Sequence, residues 1–286
     1  MAGIPFISVL PCQTVVRCAV AHGVTSRDFC SSAGIDDRAL DDRDGRVPIS
    51  AYYALLERLA DRTKNPHIGL AVPRHAAPDD YGLLGFLFLS SASVGEAFDR
   101  MLRYQRLVGD PTLSMEIKGA RAIVRYELWG PRRPAHDHVG DAFAAETVLG
   151  LQMLCGERPQ CDLRLSLKRA ATDPDPYQAQ LDVTPGFDQL RLELSLDARV
   201  LGMPVQKSDP ALAGMLEHQA EIMLRLLPPP RRYSEIANRP GSRGPSRASA
   251  QRCTSDRPSG ETSGPVGAHP SAPLARGTRV AQDDPR

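Results

Sequence analysis

The amino-acid sequence lacks the features that mark familiar enzymes and membrane proteins. It has no Walker A motif, no G-x-G-x-x-G loop, no G-x-S-x-G elbow and no H-E-x-x-H pair, which excludes the best-known nucleotide, hydrolase and metalloprotease sites. No stretch approaches the roughly 20 apolar residues of a membrane span. The apolar run at 4–10 lacks the preceding basic residues and the length of a signal peptide. We therefore expect a cytoplasmic protein that is not an enzyme and has no membrane partner.

Cysteine is also sparse, and its spacing shows no C-x-x-C pair and no clustering with histidine. The six cysteines are Cys12, Cys18, Cys30, Cys155, Cys161 and Cys253. Scattered cysteines of this kind usually pack as small hydrophobic side chains in a reducing compartment. Redox pairing within the two equally spaced pairs, 12 with 18 and 155 with 161, is the less favoured alternative.

One tight histidine cluster, His136-Asp137-His138, follows the residues R-R-P. A metal site would need a further ligand and a fixed backbone. We interpret the cluster as a solvated loop, and the sequence predicts neither a metal nor a cofactor.

A net charge of +1 hides a difference between two regions. Residues 228–286 contain ten Pro, ten Arg, eight Ser and no Lys, with a balance of +5, whereas residues 1–227 carry −4. Ile, Leu, Val and Phe together occur only four times in 228–286, too few to offset the backbone entropy of about 1–2 kcal/mol per ordered residue. We predict a folded domain over 1–227 and a disordered tail over 228–286. The tail fits either an authentic basic linker or a frameshifted, out-of-frame stretch of a GC-rich gene, and we favour the latter.

Apolar residues recur at helical spacing through much of the first region. The strongest stripes follow a predicted N-cap at Ser50 and a capping box of Ser93 and Glu96. The last predicted helix begins at Ser208 or Asp209. Six helical segments are predicted in all: 13–21, 26–34, 52–60, 94–108, 141–154 and 209–227. The intervening segments 36–46 and 66–78 are predicted as loops.

Alternation with a period of two predicts strands. Apolar and polar residues alternate at 113–117 and 122–128, on either side of Gly119, as in a β-hairpin with one buried face. Two further strands are predicted at 163–167 and 190–196. Together with the helices, these strands predict an α+β fold in which helices pack on a mostly antiparallel sheet.

Four sequence segments carry a family resemblance. They are RVPISAYYALLE at 46–57, YGLLGFLFLSSASVGEAF at 81–98 followed by RYQRL at 103–107, FDQLRLELSLDARVLGMPV at 187–205, and SDPALAGMLE at 208–217. In order and spacing they resemble the N-terminal, arabinose-binding-like regulatory domain of AraC-type transcription regulators. The resemblance extends over about 9–227.

The resemblance implies a regulatory domain that binds a small-molecule effector and forms a homodimer. Members of the family normally continue into two helix-turn-helix units that bind DNA. Nothing after Leu227 has helical periodicity or a recognition-helix pattern, so we expect the DNA-binding half to be missing from this chain. The alternatives are a standalone subunit that heterodimerises with an intact regulator, and an enzyme of unrecognised type.

Candidate site residues follow from chemistry and position. Small-molecule sites are mostly apolar with few polar groups, so aromatic side chains are candidates for an effector pocket, although core packing also accounts for each. These are Tyr81, Phe86, Phe88, Tyr104, Tyr126 and Trp129. Gly82 and Gly85 fit either a ligand-facing turn or close packing. In the final helix, Met215, Ile222 and Met223 are candidate dimer contacts, with core packing against the sheet as the alternative.

Overall fold

The N-terminal third pairs two short strands and packs helices around them. The computed structural model describes residues 5–110 and 112–228, so nearly all of the predicted tail lies outside the described residues, as does Cys253. β1 (Phe6–Ser8) and β2 (Arg46–Pro48) are antiparallel. Five helices accompany them: α1 (Val9–Ala21), α2 (Ser26–Ser32), α3 (Asp37–Asp41), α4 (Ile49–Thr63) and α5 (Ile68–Ala71).

Two helices follow from the apolar run that begins at residue 81. α6 (Leu83–Leu89) and α7 (Val94–Tyr104) are joined by a serine-rich turn. The predicted cap of α7 is present, because the Ser93 hydroxyl accepts from the Glu96 backbone N–H at 3.2 Å. The Glu96 carboxylate reaches back to the N–H of Ala92 at 2.7 Å, one residue before the cap. Both ends of the turn are thereby fixed by local hydrogen bonds.

Four strands form a fully antiparallel sheet in the order β3-β4-β6-β5. β3 (Leu113–Lys118) and β4 (Arg121–Tyr126) are the predicted hairpin, while β5 (Arg164–Ser166) and β6 (Leu192–Asp197) extend it. Alternate apolar side chains form its buried face: Ala122, Val124, Leu165, Leu192, Leu194 and Leu196. The alternation thus places one face inward, and the predicted α+β class is confirmed.

The long helix α8 (Ala135–Cys155) covers the buried face of this sheet. A Cβ added at Gly140 would lie 3.6 Å from the Leu192 side chain, so the helix backbone lies close to β6. One turn on, the ring of Phe143 packs at 5.5 Å from that of Tyr126 on β4. The core therefore lies between α8 and the sheet and continues into α1 and α4.

The last two helices complete the described chain. α9 (Asp175–Leu181) packs against α8. α10 (Pro210–Leu226) begins at the predicted cap Asp209, whose carboxylate accepts from the N–H of Leu212 at 3.0 Å. α10 packs against α6 in a separate small cluster of the described residues. The core-packing alternative required it to pack against the sheet, and this is not observed. The buried residues of this cluster are Leu84 and Leu87 of α6, Tyr104 of α7, and Ala213 and Ala220 of α10 itself.

Several predicted boundaries are wrong because tertiary contacts set them. α4 begins at Ile49 with Pro48 as its N-cap, two residues before the predicted cap Ser50, because the Ile49 N–H donates to the carbonyl of Pro5. The predicted loops 36–46 and 66–78 contain α3, α5 and the 3-10 turn Val72–His75, and they end at the first residues of β2 and of the 3-10 turn Pro78–Tyr81. Leu190, placed in a strand by its alternation, is 93% exposed, and β6 begins at Leu192.

The histidine cluster is not a solvated loop. His136 and His138 lie in the first turn of α8 and are buried, so this helix begins six residues before the predicted start. His136 Nε2 lies 3.1 Å from the carbonyl oxygen of Trp129, which fixes the entry to the helix. Burial lowers the pKa of both imidazoles, which favours their neutral forms.

Two further features of the described residues concern the cysteines and the length of the helices. The cysteines at 12, 18, 30, 155 and 161 are not joined by disulfide bonds, so neither spaced pair is bridged. Within the part of the chain that the structure describes, no helix combines the length and the apolar character needed to cross a lipid bilayer.

Candidate ligand-binding cavity

A largely apolar cavity of about 150 Å³ lies beside the core. Its walls come from α6, α7, the β3–β4 hairpin, α8 and the segment 73–81. The segment 73–81 contributes two prolines and two alanines, Pro73, Ala76, Ala77 and Pro78. The larger apolar side chains come from the other walls: Leu84, Phe88, Leu89, Phe98, Met101, Leu102, Leu113, Val124, Phe143, Leu149 and Met153. Such a mostly apolar, concave site with few polar groups is typical of small-molecule binding.

The two glycines of the apolar run shape one wall. Gly82 has φ of 57°, which lets the chain leave the 3-10 turn Pro78–Tyr81 and enter α6. A Cβ at Gly85 would overlap the carbonyl oxygen of Pro78. Gly85 therefore permits α6 to approach the preceding turn closely, and this approach places Tyr81 in the cavity wall.

Aromatic rings pack edge to face around the cavity. Phe88 of α6 and Phe98 of α7 are 6.2 Å apart with an interplanar angle of 77°. Burial raises the pKa of Tyr126 to about 12 and that of Tyr81 well above its ordinary value, so both phenols keep their protons at physiological pH. The walls thus combine apolar surface with the two phenol hydroxyls of Tyr81 and Tyr126.

The one charged side chain among the described lining residues is Glu146 of α8. Its carboxylate accepts from the Tyr81 hydroxyl at 3.1 Å. Among the described residues, no Arg or Lys forms an ion pair with it, and burial raises its pKa to about 7. An under-partnered carboxyl at the wall of an apolar cavity is a candidate ligand-binding group.

The predicted pocket residues divide into two sets. Tyr81, Phe88 and Tyr126 line the cavity together. Phe86 is 47% exposed on the other side of α6. Tyr104 is fully buried in the α10 cluster, where its hydroxyl donates to Glu221 at 2.8 Å, and Trp129 is buried near His136. The latter three lie away from this cavity.

Sequence reasoning missed Glu146, although a signal was present. Between Asp141 and Glu157 it is the only charged residue of the sequence. A lone carboxylate in an apolar helix is expected to be either exposed or functionally placed. The helical spacing of α8 does not decide whether Glu146 is exposed or functionally placed, because the other cavity walls come from distant parts of the chain.

Asp141, a fully buried carboxylate, lies on the same helix but outside the cavity. It accepts from Arg169 Nη1 at 2.7 Å and from the Tyr177 hydroxyl at 2.6 Å. Arg169 also donates to Tyr177 at 2.9 Å and to the Pro66 carbonyl at 3.3 Å. This network joins α8, α9 and the segment that precedes α5, and it is internally satisfied.

One group of side chains has the spacing of metal ligands, although the sequence predicted none. Cys18, His22 and His75 place a ligand atom each within 4.8 Å of one another. Burial raises the pKa of Cys18 to about 11, so the thiol keeps its proton at physiological pH. His22 Nδ1 lies 2.8 Å from the Cys18 carbonyl oxygen. Spacing alone does not establish a metal site, and we assign no metal here.

An α+β domain with an apolar cavity beside its core defines a class of ligand-binding domains, and sequence comparison gives the family. Residues 23–205 match the arabinose-binding domain of AraC transcription regulators, N-terminal. The chain belongs to this family and carries the ligand-binding domain of an AraC-type transcription regulator.

Individual relatives agree with this assignment. The ornithine utilization regulator of Pseudomonas aeruginosa is 25% identical over 227 residues, covering 77% of this chain and 66% of that protein. The crystal structure of the transcriptional regulator CdpR from Pseudomonas aeruginosa matches with a TM-score of 0.55 at 18% identity, over 72% of this chain and 61% of that one. The second likeness shows the fold alone. The chain spans slightly under two thirds of the length of these relatives.

Proposed function

We propose that residues 1–227 are an effector-sensing and dimerising module without catalytic activity, which acts in the cytoplasm. The observation that carries the proposal is that α6 and α7 lie between the cavity and α10. Leu84 of α6 both lines the cavity and packs in the cluster that holds α10. A molecule in the cavity therefore contacts the same helices that position the end of the domain.

Ion pairs strengthen the attachment of α10 to α7. Arg100 Nη2 lies 3.3 Å from Glu217 Oε2, and Arg103 donates to both Glu217 and Glu221. The Tyr104 hydroxyl also donates to Glu217 at 3.2 Å. Because these partners sit on two facing helices, a shift of α7 on ligand binding would be transmitted to α10.

The opposite side of α10 supports dimerisation. Leu212, Met215, Ile222 and Leu226 are 38%, 67%, 41% and 80% exposed, and their spacing places them on one helix face. Isolated monomers rarely leave such apolar strips open. Met223, the third predicted contact, is partly buried beside them. We propose a symmetric pairing through this strip.

A matched pair of substitutions tests the dimer. Ile222→Glu should weaken self-association by about tenfold or more, because a charge must then be buried in the contact. The circular dichroism spectrum should stay unchanged, since the side chain is 41% exposed in the isolated chain. Leu190→Glu makes the same apolar-to-charged change at a 93% exposed site elsewhere and serves as the control.

Sedimentation velocity measures the outcome. Equal association of wild type and both variants would reject the α10 strip as the interface. Unfolding of the Ile222→Glu variant would show that this position is core, contrary to the proposal.

In a full regulator, DNA contact would need helix-turn-helix units, and residues 228–286 show no sequence pattern for them. We propose that residues 1–227 themselves make no sequence-specific contact with a promoter.

A further inference from the structure

The chemistry of the cavity limits what can occupy it. A cavity of about 150 Å³ lined by apolar side chains has room for a body the size of a single benzene ring. Its polar groups are few: the carboxyl of Glu146 and the hydroxyls of Tyr81, Tyr126 and Thr147. The Thr147 hydroxyl is already used, since it donates to the Phe143 carbonyl at 2.8 Å.

We propose that the cavity selects a compact apolar molecule bearing one ammonium group, which forms an ion pair with Glu146. This inference rests on the proposed sensing function and specifies its ligand class. The amine is the missing cation of a carboxylate that is partly buried and faces the cavity, with Tyr81 as its hydrogen-bond donor.

Asp141 on the same helix shows what a buried carboxylate here requires. It receives an Arg guanidinium and a Tyr hydroxyl, each within 2.7 Å. Glu146 has the tyrosine but no described guanidinium or ammonium. A charge buried without a counterion is costly. A ligand ammonium would take the place at Glu146 that Arg169 takes at Asp141.

The surrounding rings favour the same ligand. Aromatic faces attract cations within about 6 Å of the ring centroid, and Tyr81, Phe88, Tyr126 and Phe143 all line the cavity. An anionic head group would instead meet the Glu146 carboxylate, and no Arg or Lys is among the described lining residues. A carboxylate-bearing ligand is therefore disfavoured.

Three probes with one phenethyl body test the head group by titration calorimetry on the full chain at pH 8. They are 2-phenylethylamine, 2-phenylethanol and 3-phenylpropionate. We expect the amine to bind at least about tenfold more tightly than the alcohol, and the carboxylate to bind most weakly, because hydrogen bonds to charged groups are the strong ones.

Variants assign the preference to one side chain. Glu146→Gln keeps the shape and should remove the preference for the amine while leaving the affinity for the alcohol within about threefold. Tyr81→Phe leaves the carboxylate in place, so the preference for the amine should persist. Glu157→Gln, an exposed change beyond the end of α8, is the matched control and should alter neither affinity.

The pH dependence is a second readout. The groups near Glu146 that also titrate are the phenols of Tyr52, Tyr81 and Tyr126, whose pKa values burial raises, and Asp80 behind Tyr81 is ion-paired with Arg17. In the wild type, amine affinity should fall below about pH 7 by up to about tenfold per pH unit as Glu146 takes up a proton. The Glu146→Gln variant should show no such fall.

The outcomes separate two failures. Gly150→Leu adds bulk beside Phe88 at the cavity wall and should abolish binding of every probe, which places them in this cavity. If the alcohol binds as tightly as the amine, or Glu146→Gln retains the preference, the ammonium assignment is wrong and the sensing function stands. If no probe binds, both the assignment and the sensing cavity are rejected.

Discussion

Asp141 and Glu146 are two carboxylates five residues apart on α8, and their surroundings differ. Asp141 is closed off from solvent and paired with Arg169 and Tyr177. Glu146 faces a cavity and has Tyr81 alone as its described hydrogen-bond partner. Burial raises the pKa of Asp141 to about 6 and that of Glu146 to about 7.

The difference distinguishes a structural carboxylate from one available for recognition. At Asp141 the opposing charge of Arg169 limits the rise in pKa that burial causes. At Glu146 burial is opposed only by the Tyr81 hydrogen bond. The network around Asp141, in which each polar group has a partner, holds the neighbouring elements in place. The Glu146 carboxylate has few partners and is therefore costly to desolvate, and a bound cation would offset that cost.

The largest expected effect comes from breaking the closed network. Arg169→Met should lower the free energy of unfolding by about 3–5 kcal/mol, because it leaves Asp141 buried without its counterion. Urea denaturation followed by circular dichroism measures this. Arg199→Met removes the partner of Asp197. The Arg199 side chain is 89% exposed, so solvent screens this ion pair and the loss of stability should be much smaller than that of Arg169→Met. Similar losses in the two variants would contradict a structural role for the Asp141 network.

A smaller effect is expected in the pH dependence of stability. Folding raises the pKa of Glu146 from 4.5 to about 7, so the folded state binds more protons than the unfolded state between these values. This carboxyl therefore contributes stability at low pH that is lost as the pH rises from about 4.5 to 7, up to about 3 kcal/mol. Glu146→Gln should abolish this component.

The comparison of variant and wild type isolates that component. His67, His136 and His138 have pKa values lowered by burial and contribute with the opposite sign over a similar range. They are common to both proteins and cancel in the difference. A difference in unfolding free energy that stays constant from pH 5 to 8 would show that Glu146 is not desolvated.

The smallest effects come from matched deletions of the two phenol hydroxyls. Tyr177→Phe should cost about 1.5–3 kcal/mol, since it removes a 2.6 Å hydrogen bond to an ion-paired carboxylate. Tyr81→Phe should cost about 0.5–1.5 kcal/mol, because its 3.1 Å bond goes to a carboxyl that is partly protonated near neutral pH. Thermal denaturation at pH 7 ranks them, and the reverse order would overturn the comparison.

Much of the fold could be predicted because its determinants are local. The Ser93 and Asp209 side chains cap their own helices within three residues. The hairpin around Gly119 follows from period-two alternation and a turn at φ of 58°. Caps and turns of this kind can be predicted from the sequence, because they depend on residues that are close together in the chain.

Boundaries failed where distant residues decide them. Pro5 sets the start of α4 through the N–H of Ile49, and Trp129 fixes the first turn of α8 through His136. Leu190 alternates in phase with β6 yet has no partner strand, so it is exposed. Periodicity describes which face a side chain takes but not how far a strand or helix extends.

The sequence by itself determined the α+β class, the main helices and strands, and the family resemblance, because each of these depends on the spacing and order of residues along the chain. Tertiary structure alone decided which aromatic side chains meet. It brought Tyr81, Phe88 and Tyr126 to one cavity and carried Tyr104 to the α10 cluster. It also gave Asp141 an arginine from 28 residues away and gave Glu146 a cavity. The charge environment of a side chain depends on the elements that pack around it, and no spacing along the chain encodes that.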